Sequence, residues 1–252
     1  MFSTKESIEI FHLIFLRHLE NKLDKTLYSL KGGCNLRFFF KSIRYSEDLD
    51  LDVRIINKET LRSKINKLLS SIDFKNSIKN YQMEIYQVSE AKQTETTQRW
   101  KLNLKIANIA IHIPTKIEFS KRINFNQEET SFIKIDPELI QKYKMYPIMA
   151  NHYTIKAAFN QKINALINRT ETQARDVFDL QLLIDSGASL QDLDPDLKNK
   201  RVIAIENLIN IKFSMFKSQV VGYLLSEYQK YYDKPQIWQE MQQQIKKFLM
   251  DT

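Results

Sequence analysis

Apolar positions at the start of the chain recur at helical spacing. Ile8, Phe11, Phe15, Leu19 and Leu23 fall on one face, which predicts an amphipathic helix over residues 4–24 packed on a core. Ser3 and Glu6 ahead of it have the spacing of a capping box. Leu61, Ile65, Leu68 and Leu69 predict a second helix over residues 59–72. The period then changes to two. Tyr81, Met83 and Ile85 alternate with Gln82, Glu84 and Tyr86, and Trp100, Leu102, Leu104 and Ile106 alternate with Arg99, Lys101, Asn103 and Lys105. Each alternation predicts a strand, the second with one wet, basic face. The polar stretch 89–98 between them reads as a hairpin-like loop. Residues 109–120 alternate again, with Pro114 as an expected break or bulge and Lys116 to Ser120 as the strand proper. From about residue 136 the spacing is helical, over 155–168, 173–185, 197–213, 217–232 and 235–249, and Gly187 stands where a helix C-terminal glycine belongs. Tyr143 to Tyr153 reads as a linker around Pro147. The pattern predicts an α/β (α+β) chain: strands with helices over residues 1–145, then a helical region over 146–252.

Composition narrows this little. The 252 residues are 43% hydrophobic and 11% aromatic, enough for a sizeable core. Only 4 glycines and 5 prolines favour long helices over a loop-rich all-β fold. A formal net charge of +8 is compatible with a polyanionic partner. A single cysteine excludes an intrachain disulfide and a cysteine-based zinc site, and fits a reducing cytoplasm. The apolar run Ile8 to Leu16 is interrupted by Glu9 and His12 and is not expected to be a signal peptide. No run is long enough for a transmembrane helix, so no membrane partner is expected.

The chemistry concentrates in Lys31-Gly32-Gly33-Cys34-Asn35-Leu36-Arg37 and Ser46-Glu47-Asp48-Leu49-Asp50-Leu51-Asp52. The first is a tight glycine turn followed by a helix-like run from Leu36 to Lys41; glycines there let backbone N–H groups approach a phosphate. The second is a strand over about 48–55 on which Asp48, Asp50 and Asp52 share one face and Leu49, Leu51 and Val53 the other. Carboxylates crowded on one face repel unless a cation neutralises them, and hard divalent ions choose such all-oxygen sites. A solvated acidic strand face is the alternative.

A Gly-Gly turn followed by Asp-x-Asp on a strand resembles the DNA polymerase β-like nucleotidyltransferase superfamily. Lys31-Gly32-Gly33-x-x-Leu36 with Arg44-x-Ser46-x-Asp48-Leu49-Asp50 is similar to the AbiEii/AbiGii family, the nucleotidyltransferase toxins of bacterial toxin–antitoxin and phage-defence systems. Where the superfamily usually has Ser or Thr after the glycines, this chain has Cys34. A second block extends the resemblance: Lys162 to Arg169, then Arg175-Asp176-x-x-Asp179. The resemblance implies a nucleotidyltransferase-type small mixed sheet whose active cleft is closed by the helical C-terminal region. It implies Asp48, Asp50 and Glu118 as ligands of Mg²⁺ (or Mn²⁺) and as catalytic residues. Gly32, Gly33, Ser46, Lys162 and Arg169 would bind the nucleoside triphosphate, with Lys162 and Asp176 also catalytic. Asp52 is surplus to the family pattern, and Asp176 and Asp179 have plain readings as a helix-dipole partner and an ion pair.

By the same resemblance the activity is metal-dependent transfer of nucleotides from a nucleoside triphosphate to an RNA acceptor such as tRNA 3′ ends, countered by a cognate antitoxin. Two alternatives stay open: modification of a protein or a small molecule such as an antibiotic, and a catalytically idle member that binds nucleotide or a partner. His12, His18, His112 and His152 show no metal-ligand spacing. Arg99, Lys101 and Lys105 are either an RNA surface or a solvated face. Tyr231, Tyr232 and Trp238 fit helix packing better than base stacking.

Overall fold

The computed structural model describes residues 2–107, 109–122 and 127–251. Contacts divide the chain into two units, residues 1–39 with 45–153, and residues 40–44 with 154–252.

The first unit is built on a seven-stranded mixed sheet in the order β3-β4-β5-β2-β1-β7-β6. The strands are β1 (Tyr28–Lys31), β2 (Asp48–Val53), β3 (Met83–Gln93), β4 (Thr97–Ile106), β5 (Ile113–Lys121), β6 (Thr130–Lys134) and β7 (Met149–Tyr153). β2 runs parallel to β5 and antiparallel to β1, and β7 runs parallel to β1. Helix α1 (Thr4–Glu20) starts at the expected capping box, with Ser3 and Glu6 bonded reciprocally. Helix α2 (Gly32–Phe39) follows β1 directly, and α3 (Lys58–Ser70), α4 (Ile72–Lys79) and α5 (Pro137–Lys142) complete the unit. The core joins Phe11, Phe15, Ile65, Leu68 and Phe74 of the helices to Leu49, Leu51, Trp100, Leu102, Leu104, Ile117 and Phe119 of the sheet. The apolar halves of β2, β4 and β5 are thus buried, which leaves Asp48, Asp50, Lys116, Glu118, Arg99 and Lys101 on the opposite face.

Several local expectations change. The loop expected over 89–98 contracts to a turn, because β3 continues to Gln93 and β4 begins at Thr97. Pro114 does not break β5; it lies one residue inside the strand, opposite Asn103 near the end of the β4 ladder. The stretch expected as a linker contains β7, whose Ala150, Asn151, His152 and Tyr153 are buried between β1 and β6.

The second unit is helical: α6 (Ile155–Asn168), α7 (Ala174–Asp185), α8 (Pro195–Asn199), α9 (Arg201–Ile209), α10 (Phe213–Gln219), α11 (Ser226–Tyr232) and α12 (Pro235–Met250). The helix expected over 197–213 is divided at Lys200, and that over 217–232 is interrupted by a 3-10 turn at Val221–Tyr223. Trp238 is buried, stacks on Phe216 with ring centroids 4.5 Å apart, and donates to the Ile211 carbonyl. It is a packing residue, as its spacing implied. Segment 40–44 joins this unit through an isolated bridge from Arg44 to Leu224 and a hydrogen bond from Leu225 N–H to the Ile43 carbonyl.

Candidate active site

In the first unit, β1 passes into α2 at Gly32, whose φ of +67° is a left-handed conformation that L side chains adopt only with strain. A Cβ added there would lie 3.4 Å from Asp50 Oδ2, so the start of α2 sits directly against that carboxylate. The free N–H groups and positive dipole end of a helix N-terminus favour anions. Helix α2 is anchored to α1 by Arg37, which donates to buried Glu9 at 2.6 Å.

The parallel register of β2 and β5 places Asp48 opposite Lys116 and Asp50 opposite Glu118. Lys116 Nζ lies 3.1 Å from Asp48 Oδ2, 3.9 Å from Asp50 Oδ1 and 3.8 Å from Glu118 Oε2. Glu118 also accepts from Arg99 Nε. Burial raises the Asp50 carboxyl above its ordinary value; Lys116 and Lys31 pull it down, and Asp48 and Glu118 push it up. Among the described residues, no three His, Cys, Asp or Glu side chains form a ready-made nest for an ion. The three carboxylates share one face with an ammonium among them.

Asp52 differs from its neighbours. It is 1% exposed, and its oxygens are taken by Lys31 at 2.5 Å, Tyr153 Oη at 2.9 Å and Arg122 Nε at 3.1 Å. These contacts are a structural tie between β1, β2 and β7.

The backbone leading into β2 is held by side chains. Ser46 Oγ donates to the Asp48 carbonyl at 3.0 Å, and Cys34 Sγ lies 3.3 Å from the same oxygen. Thr115 Oγ1 donates to the Glu47 carbonyl at 2.7 Å, so its contact with His12 Nε2 at 2.8 Å assigns the proton to that nitrogen. Burial lowers His12 to about 3, leaving it neutral, and raises the Cys34 thiol well above its usual value. A buried, protonated thiol is a poor nucleophile.

The second unit gathers Lys162, Arg169, Asp176 and Asp179, and adds Arg44. Lys162 Nζ lies 2.9 Å from Asp176 Oδ1 and 2.7 Å from Asp179 Oδ2. Arg44 grips Asp179 with both prongs, Nη2 to Oδ2 at 2.8 Å and Nε to Oδ1 at 3.1 Å, and Arg169 Nε lies 3.0 Å from Asp176 Oδ2. The order is cation, anion, cation, anion, cation. Burial alone would lower Lys162, yet Asp176 and Asp179 raise it above its usual value. Burial would raise Asp179, and Arg44 with Lys162 hold it below the usual range.

Of the residues singled out in the sequence, Gly32, Gly33, Ser46, Asp48, Asp50 and Glu118 belong to the first unit, and Lys162, Arg169 and Asp176 to the second. Sequence reading missed the positions of Lys116, Lys31 and Arg44. Lys116 was findable, since it precedes Glu118 by two and therefore shares its strand face.

The family described as the nucleotidyl transferase AbiEii toxin of type IV toxin–antitoxin systems matches residues 14–251. No curated protein matches the chain. MenT4, a nucleotidyltransferase toxin from Mycobacterium tuberculosis, is similar with a TM-score of 0.66 at 14% identity, covering 100% of this chain and 86% of that one. JHP933 from Helicobacter pylori is similar with a TM-score of 0.62 at 19% identity, covering 99% and 94% respectively. At such identities the likeness to these two structures is one of fold.

Proposed function

The chain belongs to the AbiEii nucleotidyl transferase toxin family, and on that premise we propose that Asp48, Asp50 and Glu118 form the centre of a metal-dependent transfer of nucleotides from a nucleoside triphosphate to RNA, with tRNA 3′ ends as the acceptor. One observation carries the reading: three carboxylates from two parallel strands stand 3.1 to 3.9 Å from one shared cation, the Lys116 ammonium, beside the N-terminus of α2. The donor set is all oxygen, which suits Mg²⁺ or Mn²⁺.

Such an ion, when bound, neutralises phosphate charge and makes an acceptor hydroxyl more acidic. The protein's own groups supply the rest. Asp48 and Asp50 would hold the ion, with Glu118 as the third carboxylate. The N–H groups of Gly32 and Gly33 take phosphate oxygens. Ser46 keeps the start of β2 in place through the Asp48 carbonyl and has lone pairs left for a solvent or substrate donor. In the second unit, Lys162 has two of its three N–H donors turned to Asp176 and Asp179. The third is left for a triphosphate oxygen, with Arg169 as a second cation and Asp176 orienting both. The acceptor oxygen would bond to the α-phosphorus as the bond to the pyrophosphate oxygen breaks; pyrophosphate carries away the electron pair and the acceptor's hydroxyl proton passes to solvent.

A toxin of this kind acts in the cytoplasm and is countered by a cognate antitoxin, which we take to be this protein's partner in phage defence. Among the described residues no helix is long and apolar enough to cross a membrane. The test is direct. Purified protein is incubated with Mg²⁺, each labelled nucleoside triphosphate and bulk tRNA. Wild type should label tRNA, and Asp48→Ala and Asp50→Ala should not while keeping the wild-type circular dichroism. Full labelling by both variants would overturn the reading; label on protein or on a small molecule would redirect the acceptor.

A further inference from the structure

The geometry points to Lys116 as a built-in counter-cation of the carboxylate centre, one that a divalent ion must displace before transfer can begin. This inference rests on the metal reading above and adds to it a residue that sets the threshold for the metal.

Lys116 enters the cluster because of strand register. It stands directly opposite Asp48 on one side and directly opposite Lys101 of β4 on the other. Like charges placed directly opposite repel. Lys116 is therefore pushed from Lys101 and drawn to the acids, and its ammonium lies 3.1 to 3.9 Å from all three. Its side chain is 24% exposed, less than those of Asp48 and Asp50 at 36% and 31%. The carboxylates thus have a cation that the chain itself supplies.

The consequence is competition. A divalent ion needs the oxygens that Lys116 now neutralises, so apparent metal affinity is reduced by the fraction of molecules in which the lysine occupies the cluster. Once displaced, the ammonium stays tethered on β5.

The experiment measures Mn²⁺ binding by electron paramagnetic resonance on the full chain, without nucleotide. Lys116→Gln should bind Mn²⁺ more tightly than wild type, on the order of tenfold. It should also need correspondingly less Mg²⁺ for half-maximal tRNA labelling. Lys116→Arg keeps the charge and should bind as wild type does. Lys101→Gln removes the same charge from the next strand and relieves only the push on Lys116, so it should tighten binding less than Lys116→Gln does. Equal tightening by Lys101→Gln and Lys116→Gln would show a general field effect and overturn the inference. So would unchanged Mn²⁺ affinity in Lys116→Gln while Asp50→Ala loses the site, an outcome that leaves the metal reading standing. If Asp50→Ala binds Mn²⁺ like wild type, the metal reading itself fails, and this inference with it.

Discussion

Replacing Asp179 with alanine tests whether the charge ladder of the second unit is structural, catalytic or both. The side chain of Asp179 is 0% exposed, and its partners Arg44 and Lys162 are 7% and 12% exposed. Its carboxylate accepts three hydrogen bonds from Arg44 and pairs with Lys162 at 2.7 Å. The alanine variant leaves three cations of the ladder sharing one carboxylate, Asp176. Breaking a buried, hydrogen-bonded ion pair from one side destabilises by about 3–5 kcal/mol. For a chain of this size that corresponds to a fall in melting temperature of roughly 6–20 °C. Asp179→Asn keeps the shape and one acceptor but loses the charge, and should cost about 2 kcal/mol. The chain has two tryptophans, Trp100 in the first unit and Trp238 in the second. Urea unfolding followed by fluorescence in a Trp100→Phe background therefore reports on the second unit. The acid limb gives a further check. Arg44 and Lys162 hold the folded Asp179 below its ordinary value against the opposing effect of burial. The stabilisation is complete above the ordinary carboxylate range and is lost as pH falls through the lowered folded value. Asp179→Ala should lack that part of the acid loss. Stability of Asp179→Ala within about 0.5 kcal/mol of its parent would refute the structural role. If transfer were abolished at the same time, Asp179 would have to act on the reactants directly.

Three further outcomes are expected. Gly32→Ala forces a side chain into a φ of +67° with its Cβ 3.4 Å from Asp50 Oδ2. It should destabilise the protein by about 1–2 kcal/mol in urea titration and lower transfer more than that loss explains; wild-type kinetics would show that the turn is not at the reacting centre. Burial lowers His12 to about 3 and His152 to about 4, so both are neutral in the fold and charge more readily when it opens. First-unit stability should be full above about pH 6.5 and fall as pH drops towards these values. Trp100 fluorescence in a Trp238→Phe background would follow this, and His12→Gln should flatten the slope. Expression in bacteria without an antitoxin should slow growth and Asp50→Ala should relieve it; equal growth at matched protein levels would argue against toxicity through this site.

The sequence alone determined what depends on neighbours along the chain. Alternation over Asp48 to Val53 and over Arg99 to Ile106 assigned each residue to a face, since a strand has period two whatever it pairs with. The capping box at Ser3 and the helices over residues 155–168 and 235–249 are local in the same sense, and α6 and α12 follow them closely. The Gly-Gly and Asp-x-Asp pair was legible because the turn and the strand lie close together in the chain. What joins distant segments was not legible. Tyr143 to Tyr153 looks like a linker because β7 is short and follows Pro147; Met149–Tyr153 is a strand because β1, far back in the chain, offers an unpaired edge. Asp52 shares its face with Asp48 and Asp50, yet only the arrival of Lys31, Tyr153 and Arg122 turns it into a buried tie. Arg44 reads as part of a motif beside the acidic strand, whereas its side chain belongs to the helical unit through Asp179. Lys116 was overlooked although strand period two sets it on the face of Glu118, and only the register of two parallel strands decided that its ammonium would stand among three carboxylates. Register is set by packing of the buried face as a whole, and a shift of one residue would turn every one of these charges into the core.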